Sequence, residues 1–145
     1  MKNTSTQKSH LDKLNTERYE NSLKTVKQVV RVISKCHISL DSAEKNDFNS
    51  PKVDTLIEKR IARAVNSLER VSEEMDWHCT HFCYDNAIVL DIDNVCAKLG
   101  AAIGYFDIDM LQVASYVDEA LCSLGKIVAT LVVWNDDVVD NIEDI

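Results

Sequence analysis

A chain of 145 residues, 46% of them hydrophobic, is long enough to close one hydrophobic core and too apolar to remain disordered. Three Gly and one Pro are too few for the turns of an all-β fold, so the fold class expected is all-α, a single-domain helical bundle. The net charge of −8 conceals a division: residues 1–70 hold 14 Lys/Arg against 9 Asp/Glu (net +5), and residues 71–145 hold 2 against 15 (net −13).

A chain polarised in this way either draws its own halves together or presents one basic and one acidic face. No run of Lys/Arg interleaved with aromatics stands out as a phosphate-tracking surface, so nucleic acid is not an expected partner.

In chain order, MKNTSTQKSH has no apolar run of the signal-peptide kind, and residues 1–10 are expected to be flexible. The bundle domain is expected over 11–140, and 141–145 form an acidic, frayed end. Between Leu11 and Leu40 apolar residues recur at Leu11, Leu14, Leu23, Val26, Val29, Val30, Ile33 and Ile38, mostly at steps of three and four, which predicts an amphipathic helix. Asp41 to Ser50 reads as an exposed loop, and Pro51 suits the first position of a helix. The next helix is expected over Val53–Trp77, with the stripe Val53, Leu56, Ile57, Ile61, Ala64, Leu68, Val71 and Met75. From His78 to Asp93 the periodicity is lost and a turn is expected.

Three shorter helices should follow, over Ile92–Ile103, Asp107–Cys122 and Ser123–Val139. Gly100 and Gly104 bracket a break, and Asp107 or Asp109 caps the next helix. The last helix is apolar nearly all round (Leu124, Ile127, Val128, Leu131, Val132, Val133, Trp134), which predicts a helix buried at the centre of the bundle. The longest apolar stretch free of charge, Ile127–Trp134, is far shorter than the ~20 residues of a membrane span.

Five cysteines (Cys36, Cys79, Cys83, Cys96, Cys122) lie scattered among apolar neighbours, a pattern that suits a reducing, cytoplasmic setting with thiols packed as small hydrophobes. His78, Cys79, His81 and Cys83 form the densest group of potential zinc ligands. No second pair at finger-like spacing follows, so packing is the preferred reading and neither a metal nor another cofactor is expected. Phosphate-loop, Ser-elbow and HExxH patterns are missing, and the pairs Asp91/Asp93 and Asp107/Asp109 suit capping better than acid–base work. The chain is therefore read as a binding protein and not an enzyme.

The stretch Gln112–Val128 resembles the first homology region of the Bcl family of apoptosis regulators, with Ser123, Leu124, Gly125, Lys126, Ile127 and Val128 at the positions of that family's Asn-Trp-Gly-Arg-Ile-Val. Upstream, Ala64, Leu68, Val71 and Met75 with Ser72-Glu73 are similar to its third region. The resemblance implies an anti-apoptotic bundle that sequesters amphipathic helices of pro-apoptotic proteins in an apolar groove. Its groove residues would be Val71, Met75, Val113, Val117, Leu121, Leu124, Gly125 and Val128. Gly125 would admit close helix packing and Lys126 would pair with a ligand acid. Eleven residues follow Trp134, fewer than the family's further helices need, so the expectation is a shortened member, as some virus-encoded relatives are, a truncated chain, or a coincidental likeness. A genuine member would have an incompletely covered central helix and hence be a homodimer, cytoplasmic or peripheral at mitochondria through its partners. The alternative expectation is an unrelated helical adaptor or assembly subunit of a constitutive complex.

Overall fold

The computed structural model describes the backbone of residues 2–45, 51–82 and 86–143, and the side chains of 20–45, 54–77, 79–80 and 86–134. These residues form α1 (Lys2–Lys45), α2 (Pro51–Phe82), α3 (Ala87–Tyr105) and α4 (Met110–Glu143), with no strand among them. The all-α expectation holds. α1 packs against α2 and α4, and α3 packs against the same two, whereas the backbones of the diagonal pairs do not touch among the described residues. Lys98 reaches Ser123 and Tyr105 stacks on Tyr116, so α3 and α4 run antiparallel. With short connections between consecutive neighbours, the arrangement is an up-and-down four-helix bundle.

One rule of sequence builds all four walls. Buried residues recur at Leu23, Val26, Val29, Ile33, Cys36 and Leu40 on α1, and at Ile57, Ile61, Ala64, Leu68, Val71, Met75 and Cys79 on α2. They recur at Ile88, Ile92, Val95, Leu99 and Ala102 on α3, and at Val113, Val117, Ala120, Leu124, Ile127 and Leu131 on α4. Steps of three and four alternate, a mean near 3.5 residues, which keeps one narrow seam of each helix turned inward for knobs-into-holes packing.

Several boundaries differ from the sequence reading. Asp41 to Lys45 continue α1, and the expected turn over 78–93 is largely helical, since α2 runs to Phe82 and α3 starts at Ala87. No glycine break interrupts α3 at Gly100, and no break separates Cys122 from Ser123, so the two expected C-terminal helices are one. Helix continuity is natural where neither Pro nor a packed tertiary contact forces an interruption. The capping expectation is met at Asp109, whose carboxylate accepts the backbone N–H of Gln112 at 3.2 Å at the start of α4. Just before it, Asp107 takes a left-handed conformation, φ 65°.

The expectation of a helix buried on every side is corrected. α4 is a wall like the others: its inner stripe is sealed, while Val132 and Val133 are 36% and 56% exposed. The described part of α4 packs its inner stripe against α1 and α3, and Leu111 on the same helix is exposed. Leu124→Ala should therefore cost about 2–5 kcal/mol of unfolding free energy and Val133→Ala less than about 0.5, measured by urea denaturation. Comparable losses at both positions would contradict one-sided burial of α4.

At the end of the bundle where α2 begins, Asp54 is buried and its Oδ1 finds no hydrogen-bond partner. Burial pushes its carboxyl pKa up, and the negative charge of Asp107 adds to the rise. A carboxyl with a raised folded-state pKa loses its stabilising contribution as pH climbs through that value, so the ionised form weighs against the fold at neutrality. Asp54→Asn is expected to melt above wild type at pH 7, with the difference shrinking as pH falls toward about 4, where the ordinary carboxylate also protonates.

Candidate functional site

The residues expected to line a groove are mostly interior. Val71 and Met75 on α2, and Val113, Val117 and Leu124 on α4, are buried. Their helices stand on a diagonal, so the two groups meet only through the core and do not form the walls of a surface cleft. Leu121 and Val128 are half-buried against that core, on the same helix. Gly125 and Lys126 are exposed. A Cβ added at Gly125 would meet nothing within 4 Å, so no neighbouring helix uses its small size.

The cysteines divide by environment. Cys36 and Cys79 are buried, Cys96 is half-buried and Cys122 is exposed, and none of the four forms a disulfide. Cys79 is thus a core residue, while the side chains of His78, His81 and Cys83 lie outside those described. Among the described residues no group of three or more potential metal ligands occurs. The Cys96 thiol is pushed up to about 11 by burial first, and then by the carboxylates of Glu69 and Asp93. Since the thiolate is the reactive form, Cys96 is a poor nucleophile at neutral pH. Iodoacetamide footprinting of the native protein should modify Cys122 at least tenfold faster than Cys36, Cys79 or Cys96, and comparable rates at Cys36 would show that α1 is not seated as described.

The surface instead opens between α1 and α2. A groove of about 530 Å³ runs along their outer seam. Val29, Val32 and Ala64 make its apolar floor, and Thr25, Gln28 and Ser67 supply small polar edges. Lys24 and Lys35 from α1, and Arg60 and Arg63 from α2, flank it. Helical spacing accounts for this set: Val29 and Ala64 belong to the inner stripes, and the others occupy the shoulder of each helix turned toward its neighbour. The small side chains of Ala64 and Ser67 leave the seam unfilled. Arg60 lies close enough to Cys36 for its charge to lower that thiol's pKa, although burial dominates and the net shift is upward.

Sequence reasoning did not single out this groove. A signal for it exists in two stretches without acids: residues 21–40 carry Lys24, Lys27, Arg31 and Lys35, and residues 59–68 carry Lys59, Arg60 and Arg63. Only the pairing of α1 with α2 brings the two runs side by side. Polar cross-links occur at the other seams. Ser72 donates to Asp93 at 2.6 Å between α2 and α3, Lys98 donates to Ser123 at 3.5 Å between α3 and α4, and His37 lies 3.2 Å from Asp118 between α1 and α4.

Comparison with protein-family models, with curated proteins and with solved structures found no significant match to this chain. Among the described residues no helix is long and apolar enough to cross a membrane.

Proposed function

We propose that this protein is a non-catalytic binding module that captures an amphipathic helix of a partner on the outer face of its α1/α2 pair. The observation that carries this reading is the groove itself. It has an apolar floor, lies between two helices, and extends from Lys24 to Lys35, twelve residues spanning about 16 Å of helix. A helix laid along it would contribute about three turns, with anchors at every third or fourth residue reaching Val29, Val32 and Ala64. The adaptor expected from sequence as the alternative to a Bcl-like regulator is the closest description of such a module.

The Bcl-like reading, inhibition of apoptosis by sequestering pro-apoptotic helices, has one feature in its favour: Lys126 stands exposed beside Gly125, with open space above the glycine. It also requires Val71, Met75, Val113, Val117 and Leu124 to leave the core and open the bundle. Sealed cores resist such an exchange, so we rank this reading second.

Calorimetric titration separates the two. Amphipathic helical peptides, death-motif helices of pro-apoptotic proteins among them, are titrated into wild type, Ser67→Trp and Lys126→Glu. The α1/α2 reading expects micromolar or tighter binding by some peptides, abolished when the indole of Ser67→Trp fills the groove and unchanged in Lys126→Glu. Loss in Lys126→Glu with retention in Ser67→Trp would transfer the function to α4 and favour the apoptosis reading. If no peptide binds the folded wild type, helix capture is wrong.

A further inference from the structure

We infer that the helix this groove accepts is acidic: an amphipathic segment of a different protein, with apolar anchors on its inner ridge and carboxylates on both flanks. The inference rests on the helix-docking reading and deepens it by fixing the charge of the partner. Its basis is the charge of the walls. Lys24 and Lys35 stand on one side and Arg60 and Arg63 on the other, with no carboxylate in the lining. None of the four is ion-paired with a carboxylate of a described residue. Between Glu20 and Asp41, and between Glu58 and Glu69, the flanking sequence contains no acid. Four like charges along one cleft in a protein of net charge −8 create a local field opposite to that of the whole molecule.

Both halves of this chemistry are needed to identify the partner. The lining contains no aromatic ring on which a base could stack, and an apolar floor gives a polyanionic backbone nothing to bury, so a nucleic-acid strand fits it less well than a helix. A flat anionic membrane would meet the rims and leave the floor unfilled. An acidic amphipathic helix satisfies floor and rims at once. Its carboxylates fall within reach of guanidinium forks at Arg60 and Arg63, which suit paired contacts with carboxylate oxygens. A second copy of this chain is a poorer fit. Of the acids on α3 and the described part of α4, Asp93 accepts from Ser72, Asp118 pairs with His37, and Asp91 and Glu119 are exposed; all four belong to bundle walls and not to a separate helix.

The test uses the full chain and two fluorescein-labelled helical peptides of about fourteen residues. Both carry Leu at positions one, four, eight and eleven; one has Glu on the flanks of that ridge and the other has Lys. Fluorescence anisotropy should show the Glu peptide binding at least about tenfold more tightly than the Lys peptide, with affinity falling as salt is raised. Arg60→Glu/Arg63→Glu and, independently, Lys24→Glu/Lys35→Glu should each weaken the Glu peptide at least about tenfold and improve the Lys peptide, with circular dichroism confirming that both variants stay helical. Equal binding of the two peptides overturns the acidic inference while leaving helix docking intact. If neither peptide binds but sedimentation shows a dimer that Arg60→Glu/Arg63→Glu dissociates, the occupant is a second copy and the inference fails. Preferential binding of oligothymidylate or of anionic vesicles over the Glu peptide also overturns it. If no probe binds and the protein is monomeric, the docking reading itself falls.

Discussion

Everything in this bundle depends on a single narrow seam per helix. A repeat of alternating three and four residues gives each helix one inward line of side chains, and four such lines close on each other without a central helix. The narrowness matters as much as the apolarity. A broader stripe would demand burial on two sides and a layered globule, whereas a 3.5-residue seam leaves the outer two-thirds of each helix available to solvent. That is why a sequence with 46% hydrophobic residues still places apolar side chains such as Ile38, Leu56 and Leu111 on its surface.

The same geometry decides where a surface groove can form. Residues flanking the inner seam sit on the shoulders between neighbouring helices, and what occupies the shoulders decides whether a seam is stitched or open. Ser72 with Asp93, the Tyr105 and Tyr116 rings (centroids 5.9 Å apart), and His37 with Asp118 bridge three of the four. Partly exposed pairs of this kind add little stability, but they set register and fill space. Between α1 and α2 the shoulders carry Lys24, Lys35, Arg60 and Arg63, which repel one another, next to Ala64 and Ser67, which are too small to fill the gap. The groove is therefore a consequence of charge and side-chain volume acting at one seam, not of a break in the fold.

Much of the architecture was legible in the sequence. Helical content followed from the scarcity of turn residues. Of the eight apolar residues expected along the second helix, Val53 lies outside the described side chains and six of the other seven lie in the core: Ile57, Ile61, Ala64, Leu68, Val71 and Met75. Phase was harder than period. Leu56 and Ile38 match a stripe by hydrophobicity yet are 47% and 65% exposed, while Cys36 and Leu40 hold the inward positions of α1. Hydrophobicity alone does not choose among adjacent apolar residues, and packing against a neighbour does. The expected break between Cys122 and Ser123 failed for a related reason: change of composition along a helix need not end it. The groove escaped notice because its walls come from residues about thirty-five apart, and antiparallel pairing alone makes them neighbours. Motif similarity pointed instead to residues whose apolar character equally serves a core.

The separation of charge has a colloidal consequence. α1 and α2 together hold 14 Lys/Arg against 11 Asp/Glu, and α3 and α4 hold 2 against 8, so opposite sides of one bundle carry net +3 and −6. Two molecules of the same net sign, repelling at long range, then attract when the cationic side of one turns toward the anionic side of the other. The crossover lies near the Debye length, about 8 Å at physiological ionic strength and about 30 Å at 0.01 M. In dilute buffer the protein is accordingly an electric dipole that orients before it collides, and added salt erases that orientation well before it touches the packed interior.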